Sequence, residues 1–301
     1  MAQASTIVKV VVPVAGLGTR LLPATKSQPK EMLPVGRRPV VQYVVEELQA
    51  AGLTQILFIT GRKKSAIEDH FDPDPELVRM LSTGGGYAML EELAYTETDT
   101  RFYYTRQSVP NGLADAIGHT KEFVDNDPFL VALGDSIIRN HEDGSLAEKM
   151  IRAHLENGAA CTIAVEEVNP DEVYRYGVVK PSDGADLAGS FAVSDLVEKP
   201  KPENAPSNLA IAARYVFSPV IFDAISRTLP DRNGEMQLTD SIRLLIQLGY
   251  PVQAIRLTGS ERRYDIGNFE SYFKAFMDFA LSDEKYGYLV RQYLKRKVRE
   301  F

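Results

Sequence analysis

Short apolar runs rich in β-branched residues alternate with segments of helical periodicity over the first 140 residues, and this alternation strongly constrains the fold. Four runs are predicted as strands, at residues 7–14, 55–60, 101–105 and 129–134. Two amphipathic segments, at 40–51 and 113–124, are predicted as helices. Such alternation is typical of helices packed on both faces of a mostly parallel sheet. These residues are therefore predicted to form a doubly wound α/β unit.

The pattern changes after residue 160, because strands then follow one another without a helix between each pair. Predicted strands lie at 161–168, 176–181, 191–199 and 209–217. This half is predicted to be an α+β extension of the same sheet or a cap upon it. Predicted helices run from an N-cap at Ser218, with Pro219 at the first helical position, to about residue 227, and then over 238–248, 268–282 and 283–299. Three glycines, at 84–86, are expected to form a surface turn.

Composition excludes several classes of partner for this 301-residue chain. Its net charge is −7, so no broad basic face is expected that would bind nucleic acid or an anionic membrane.

The most apolar N-terminal run, at 10–17, is too short to span a bilayer and has no basic segment before it, so we expect a cytoplasmic protein. Cys161 stands alone, and the four histidines show no zinc-ligand spacing, so neither a disulfide nor a structural zinc site is expected.

A glycine loop follows the first predicted strand. Gly16 and Gly18 let the backbone approach a ligand, so that successive N–H groups cradle phosphate oxygens at the carboxyl end of the strand. Between positions 16 and 38, five basic residues accompany a single acid, Glu31. A dinucleotide fingerprint would need glycine where Leu21 stands, and the P-loop sequence Gly-Lys-Ser/Thr is absent. Taken alone, the loop fits either a phosphate cradle or an ordinary strand-to-helix turn.

The sequence around this loop, GLGTRLLPATKSQPKEMLPV (16–35), resembles the signature of sugar-1-phosphate nucleotidylyltransferases. The likeness covers about residues 7–281 and is closest to the bacterial UTP–glucose-1-phosphate uridylyltransferases. Further matching segments are LGD (133–135), YGVV (176–179), VEKPKPENAPSNLAI (197–211), GEMQLTDSI (234–242) and RYDIGN (263–268). It implies that glucose-1-phosphate attacks the α-phosphorus of UTP, giving UDP-glucose and pyrophosphate.

The resemblance also implies an architecture. It predicts a Rossmann-like doubly wound mixed sheet of the glycosyltransferase-A-like kind, with a sugar-binding extension and C-terminal helices. One nucleotidyltransferase domain is expected over 1–282, divided into a nucleotide-binding part at about 1–140 and a sugar-phosphate-binding part at about 141–282. A C-terminal helix follows at 283–301. A homo-oligomer, either dimer or tetramer, is expected.

Site residues carry over from the matching motifs. The resemblance assigns triphosphate contacts and catalysis to Arg20 and Lys30, and the sugar phosphate to Lys199. Nucleotide binding is expected at Gly16, Gly18, Thr19, Gln107 and Gly112, and sugar-phosphate binding at Gly177, Glu198, Lys199 and Asn208. Two aspartates, Asp135 and Asp265, are expected to hold Mg²⁺, which prefers carboxylate and phosphate oxygens. No general base is needed, because a phosphate monoester is mostly a dianion at pH 7.

Local pattern adds two expectations and leaves two alternatives open. Asp135 follows an apolar strand, so its carboxylate should emerge near the glycine loop. Alternation along 191–199 places Glu198 and Lys199 on opposite faces, unless the strand end twists. GLADAI, with Ala114 where a second glycine is usual, resembles thymidylyltransferases, so dTTP stays an alternative nucleotide. The other alternative is a catalytically weak regulatory paralogue that binds nucleotide-sugar.

Overall fold

A nine-stranded mixed sheet forms the centre of the molecule in the computed structural model, which describes residues 7–96, 98–140 and 145–300. The strands are β1 (Lys9–Pro13), β2 (Pro34–Val35), β3 (Arg38–Pro39), β4 (Gln55–Thr60), β5 (Arg101–Arg106), β6 (Phe129–Ala132), β7 (Ser136–Asn140), β8 (Cys161–Glu167), β9 (Gly177–Pro181), β10 (Ser190–Glu198), β11 (Leu209–Phe217), β12 (Val252–Arg256) and β13 (Glu261–Asp265). The sheet order is β5-β4-β1-β6-β11-β8-β12-β10-β9.

Strand direction divides this sheet into two halves. β5, β4, β1 and β6 are parallel to one another, as the βαβ pattern predicted. β11 runs antiparallel to both β6 and β8, and β10 runs antiparallel to β12 and β9. β9 also pairs with β11 through Val178 and Ala210, so the second half of the sheet folds back on itself. The extension is therefore continuous with the first half.

Helices cover both faces of the sheet. The helices in the described part of the chain are α1 (Val40–Ala50), α2 (Ser65–Phe71), α3 (Pro75–Thr83), α4 (Tyr87–Glu91), α5 (Leu113–Gly118), α6 (Lys121–Val124), α7 (Leu146–Glu156), α8 (Ile221–Arg227), α9 (Leu238–Gln247), α10 (Phe269–Ser282) and α11 (Gly287–Lys297). On β1, Val10 and Val12 pack in the core with α1 and α7, while Val11 packs in the core with α5, α8 and α9. A central strand buried on both faces is characteristic of parallel sheets, and the predicted fold class is confirmed.

A two-stranded ladder beside the main sheet positions the functional residues. β7 pairs antiparallel with β13, with Ser136 opposite Asp265. β6 stops at Ala132, so Asp135 lies in the short turn between β6 and β7. A third apolar cluster, which includes Leu21, Ile137 and Ile266, packs beneath this ladder and the loop that follows β1. The ladder and the turn that precedes it therefore bring both predicted metal ligands to one place.

Several predicted boundaries were wrong. The helix expected over 113–124 is two helices, because the chain turns at 119–120 between α5 and α6. Ser218 does not cap a helix. Its hydroxyl donates to the Ala159 carbonyl instead, and α8 begins only at Ile221. The last helix begins at Gly287, since the Asp283 carboxylate accepts backbone N–H bonds in a turn before it. The glycine turn at 84–86 lies between α3 and α4 as predicted.

Other elements were not predicted at all, among them β7, β12, β13 and α7. α7 nevertheless has a clear signal, because Ser145 and Glu148 form a capping box at its N-terminus. His141 and the expected division of the domain near residue 141 lie outside the described residues, so that division stays a prediction. No helix within the described ranges is both long and apolar enough to cross a membrane.

Candidate active site

The glycine loop after β1 is shaped by residues that follow it in the sequence. Gly18 has φ +67°, and a Cβ there would lie 3.3–3.4 Å from the side chains of Thr25 and Lys30. The Thr25 hydroxyl donates to the Gly18 carbonyl at 2.8 Å. A Cβ at Gly16 would lie 3.8 Å from the Lys30 Nζ. The loop therefore brings exposed backbone close to a lysine ammonium, which is the environment that a phosphate requires.

Lys30 and Asp135 form an ion pair at the edge of this loop, as Nζ donates to Oδ2. Burial alone would lower the pKa of Lys30, but the negative charges of Asp135 and Glu31 raise it above its ordinary value. Burial would likewise raise the pKa of Asp135, and the ammonium of Lys30 instead lowers it. Both groups are therefore charged at neutral pH. Asp135 emerges beside the glycine loop, as its position after a strand predicted.

Asp265 lies beside this pair. The Ile266 N–H donates to the Asp135 carbonyl at 2.9 Å, which ties the end of β13 to the turn before β7. Burial and the negative charge of Asp135 together raise the pKa of Asp265. A Cβ at Gly267 would lie 2.9 Å from Asp265 Oδ2 and 3.3 Å from Arg20 Nη2. Two carboxylates that repel each other thus share a site whose outer side is occupied by the Arg20 guanidinium.

A second buried ion pair lies behind Lys30, and it was not predicted. Glu31 is 1% exposed and accepts from Lys64 Nζ at 2.7 Å; Lys64 is 5% exposed. Burial raises the pKa of Glu31 despite the opposing charges of Lys64 and Lys30. Lys64 belongs to the loop after β4, so the pair connects that loop to the segment between β1 and β2. In the sequence Lys64 follows another lysine, the exposed Lys63, and nothing in that pattern predicts that Lys64 is buried.

A cavity of about 430 Å³, here called the glycine-loop cavity, opens above this loop. It is lined by residues that include Gly16, Gly18, Thr19, Lys30, Gln107 and Gly112. Gly112 has φ +106°, and a Cβ there would lie 2.5 Å from the Met236 carbonyl oxygen, so only glycine fits. All five predicted nucleotide-binding residues therefore lie around one cavity.

A second cavity of about 510 Å³, here called the β10 cavity, lies at the end of that strand. Gly177, Glu198 and Lys199 line it. The expectation that Glu198 and Lys199 face opposite sides was wrong, because β10 ends at Glu198 and Lys199 has φ +44°. The turned backbone places Lys199 Nζ 3.2 Å from Glu198 Oε1. The Thr239 hydroxyl fixes the other oxygen of Glu198 at 2.6 Å.

Gly177 is closely surrounded, since a Cβ there would lie 2.9 Å from Ile211 and 3.2 Å from Glu198 Oε2. Asn208 is placed differently from the other predicted site residues. Its amide donates to Glu167 Oε1 at 3.0 Å, and within the described ranges it is not among the residues that line the β10 cavity.

Two further cations support the site and were missed by sequence reasoning. Arg263 lines the β10 cavity, donates to Glu166 at 2.5 Å and lies 5.0 Å from the Tyr176 ring centre. Arg214 is fully buried and forms a bidentate pair with Glu47 at 2.6 and 3.1 Å. It also donates to the Ser136 carbonyl at 2.9 Å, which holds the residue after Asp135 in place. Neither pair has a local signal, because the partners lie 97 and 167 residues apart.

A third cavity, of about 620 Å³, shares no lining residue with the other two. It lies between α1, β7 and the end of α10. Of its arginines, Arg38 pairs with Glu46 at 2.7 Å, Arg37 pairs with Asp283 at 2.8 Å, and Arg139 donates to the Ser282 hydroxyl at 2.8 Å. It contains none of the predicted site residues and is not the candidate active site.

The donor set for a metal is small. Among the described residues, no group of three or more His, Cys, Asp or Glu side chains is arranged to hold an ion. Asp135 and Asp265 would supply only two carboxylates, so substrate oxygens would have to complete any coordination shell. The Ser136 hydroxyl beside them is buried and has no hydrogen-bond partner within the described part of the chain.

Comparisons with known proteins show the family to which the chain belongs. The family model for nucleotidyl transferases matches residues 9–282. UTP–glucose-1-phosphate uridylyltransferase 1 of Staphylococcus saprophyticus is 41% identical over 295 residues, which are 98% of this chain and 97% of that protein. The solved UTP-bound UGPase of Acinetobacter baumannii has a TM-score of 0.86 at 36% identity, covering 96% of this chain and 99% of that one. A UDP-glucose pyrophosphorylase complexed with UDP-glucose has a TM-score of 0.81 at 35% identity, covering 91% and 98%. The predicted resemblance is confirmed, and the chain belongs to the nucleotidyl transferase family.

Proposed function

We propose that the chain forms UDP-glucose and pyrophosphate from UTP and glucose-1-phosphate. The observation that carries this proposal is that the glycine-loop cavity and the β10 cavity share Arg20, Leu113, Leu133 and Asp135. A nucleotide in the first cavity and a sugar phosphate in the second would meet at this shared wall. The relatives supply the substrates, since one is named for UTP and glucose-1-phosphate and solved neighbours hold UTP and UDP-glucose.

The reaction needs charge neutralisation and alignment rather than a base. A phosphate monoester has its second pKa near 6, so the nucleophile is mostly a dianion at pH 7. Its oxygen bonds to the α-phosphorus of UTP, while the bond from that phosphorus to the bridging oxygen breaks and pyrophosphate leaves. Arg20, which has no ion pair or hydrogen bond through its side chain within the described residues, is free to bind phosphate oxygens. Lys30, beside Gly16, is proposed to bind the triphosphate.

Residues of the β10 cavity would orient the sugar phosphate. Lys199 supplies a positive charge for the phosphate group, and Glu198 supplies acceptor oxygens for sugar hydroxyls. Gly177 lets the hexose approach the backbone. Arg263, although paired with Glu166, adds positive charge to the same wall. Asn208 stays a weaker proposal, because its amide already bonds to Glu167.

Nucleotidyl transferase enzymes generally use a divalent metal ion, and we propose Mg²⁺ held by Asp135 and Asp265. The residues fit such an ion, because the negative charge of Asp135 raises the pKa of the buried Asp265 and a cation between the two carboxylates would relieve their repulsion. Hard oxygen donors are those that Mg²⁺ prefers. When bound, the ion would supply positive charge between two anionic substrates.

A pyrophosphate-release assay over a grid of nucleoside triphosphates and hexose-1-phosphates tests the proposal. We expect release that depends on both UTP and glucose-1-phosphate and stops when EDTA removes divalent ions. Release with every nucleotide at equal rates, or none with UTP, would reject the substrate assignment. Undiminished release in EDTA would reject the metal.

The thymidylyltransferase alternative depended on Ala114. Ala114 is fully buried in the core, and the lining of the glycine-loop cavity within the described chain includes its neighbours Leu113 and Ala116 but not Ala114. Its methyl group therefore gives no reason to expect a thymine-specific pocket, and parallel turnover of UTP and dTTP tests this. The paralogue alternative would expect lost charges, whereas Arg20, Lys30, Asp135, Lys199 and Asp265 all remain.

We further propose a homo-oligomer, dimer or tetramer, in the cytoplasm. The support for assembly is exposed apolar surface on the C-terminal helices, where Phe273, Tyr288 and Leu289 are 58%, 64% and 63% exposed. Light scattering coupled to gel filtration would measure the mass in solution. Cell fractionation tests the location.

A further inference from the structure

We propose that Asp115 sets pyrimidine selectivity by fixing the orientation of the Gln107 amide, an inference that rests on the proposed nucleotide binding in the glycine-loop cavity. Gln107 lies on the wall of that cavity and is 5% exposed. Its Nε2 donates to the Gly112 carbonyl at 3.1 Å and to Asp115 Oδ2 at 2.6 Å. Both hydrogens of the amide nitrogen are therefore used.

The two partners determine which way the amide points. A carbonyl oxygen and a carboxylate accept hydrogen bonds but cannot donate them. A rotated amide would place Oε1 against two acceptors, so this orientation is strongly disfavoured. Among the described residues, nothing donates to Gln107 Oε1. The side chain therefore offers a ligand an acceptor and no donor.

An acceptor at this position distinguishes pyrimidines by their N3 edge. Uracil carries N3–H, which Gln107 Oε1 accepts, whereas cytosine carries a lone pair at N3. The Gly112 N–H donates to no described group and lies on the same cavity wall, so it complements a pyrimidine carbonyl. A cytosine in the same pose would face Oε1 with another acceptor, which leaves a buried polar group unsatisfied.

Asp115 acts through Gln107 rather than on the nucleotide. It belongs to the first turn of α5 and, within the described chain, is not among the residues lining the glycine-loop cavity. Its bond to Nε2 is charge-assisted and shorter than the bond to Gly112, so it is the stronger of the two constraints. Without it, the amide keeps a single hydrogen bond and can rotate to present Nε2. Asp115 is therefore a positioning residue for base selection.

Equilibrium binding of UTP and CTP, measured calorimetrically without sugar phosphate, tests this role. The wild type should prefer UTP. Asp115→Ala should reduce the UTP-over-CTP affinity ratio by about tenfold, the effect of losing one charged hydrogen bond. Asp115→Asn should retain most of the preference, because Oδ1 still accepts from Nε2. Glu122→Ala removes an exposed carboxylate from nearby α6 and should change nothing.

An unchanged ratio in a folded Asp115→Ala variant overturns the inference, and so does an equal loss in Asp115→Asn. If the alanine variant fails to fold, Asp115→Ser, whose hydroxyl is too short to reach Nε2, replaces it with the same expectation. A wild type that prefers UTP but releases no pyrophosphate rejects the proposed reaction and leaves this inference standing. If the wild type is active but binds UTP and CTP equally, this inference is rejected and the proposed reaction is not.

Discussion

Replacing Lys64 by methionine tests the energetic role of the buried ion pair behind the glycine loop. The Lys64 Nζ lies 2.7 Å from Glu31 Oε2, and both residues are nearly inaccessible to solvent. Methionine fills a similar volume but carries no charge, so Glu31 is left buried without its partner. Breaking such a pair costs about 3–5 kcal/mol of folding free energy.

The pH dependence of this loss has a defined sign. Burial raises the pKa of Glu31, and the charge of Lys64 opposes that rise, so the pKa rises further in Lys64→Met. A carboxyl whose pKa is higher in the folded than in the unfolded state makes the folded state bind more protons. Stability then falls as pH rises from the unfolded pKa to the folded one. The deficit of the variant should therefore be larger at pH 8 than at pH 5.

Urea unfolding followed by circular dichroism at both pH values measures the deficit. Lys63→Met is the matched control, because Lys63 is exposed, and it should change stability by less than about 0.5 kcal/mol. The double variant Glu31→Gln/Lys64→Met should recover much of the loss, since no uncompensated charge remains. A deficit below about 1 kcal/mol, or one independent of pH, would show that Glu31 is not a buried carboxylate that depends on Lys64.

Four other changes test separate parts of the structure. Asp135→Asn keeps the side-chain shape but removes its charge, and should lower saturated pyrophosphate release by about 100-fold or more. Lys199→Ala should raise the KM for glucose-1-phosphate with little change in the KM for UTP. Ala213, at φ +60° in a bulge of β11, should tolerate glycine with up to about 1 kcal/mol of added stability, whereas Ala212→Gly on the same strand should destabilise. Burial lowers the pKa of His154 to about 4, so only the unfolded state gains a proton as the pH falls below about 6.5. Urea unfolding at a series of pH values should show that the wild type loses up to about 3 kcal/mol of stability by pH 4. The loss should be smaller in His154→Asn.

The sequence predicted those parts of the site in which a local pattern fixes the geometry. Gly16 and Gly18 follow one parallel strand and Asp135 follows another. The carboxyl ends of parallel strands lie at the same edge of the sheet, so these residues lie near one another. These positions meet around shared cavities because the topology brings strand ends together. The motifs could therefore be placed without knowing any tertiary contact.

Prediction failed where a single backbone angle or a distant partner decides the outcome. Period-2 alternation separated Glu198 from Lys199, but one residue with positive φ at the strand end brings both head groups into the same cavity. Arg214 looks like any strand residue in the sequence, and only its bidentate contact with Glu47, 167 positions away, explains its burial. Such pairs follow from tertiary packing, which no local pattern contains.

Charges of opposite sign alternate through the interior of the site. Lys64 pairs with Glu31, whose charge raises the pKa of Lys30, and Lys30 pairs with Asp135. Each buried charge is compensated by a neighbour, which is the condition for keeping it ionised at low dielectric. Asp265 is the exception, because the negative charge of Asp135 repels it.

An anion that draws Lys30 away from Asp135 leaves two adjacent carboxylates without a compensating positive charge, and so strengthens the binding of a cation there. By thermodynamic reciprocity, a cation bound to these carboxylates releases Lys30 for the anion. If a nucleotide triphosphate and a divalent ion bind as proposed, this charge arrangement predicts that each strengthens the binding of the other.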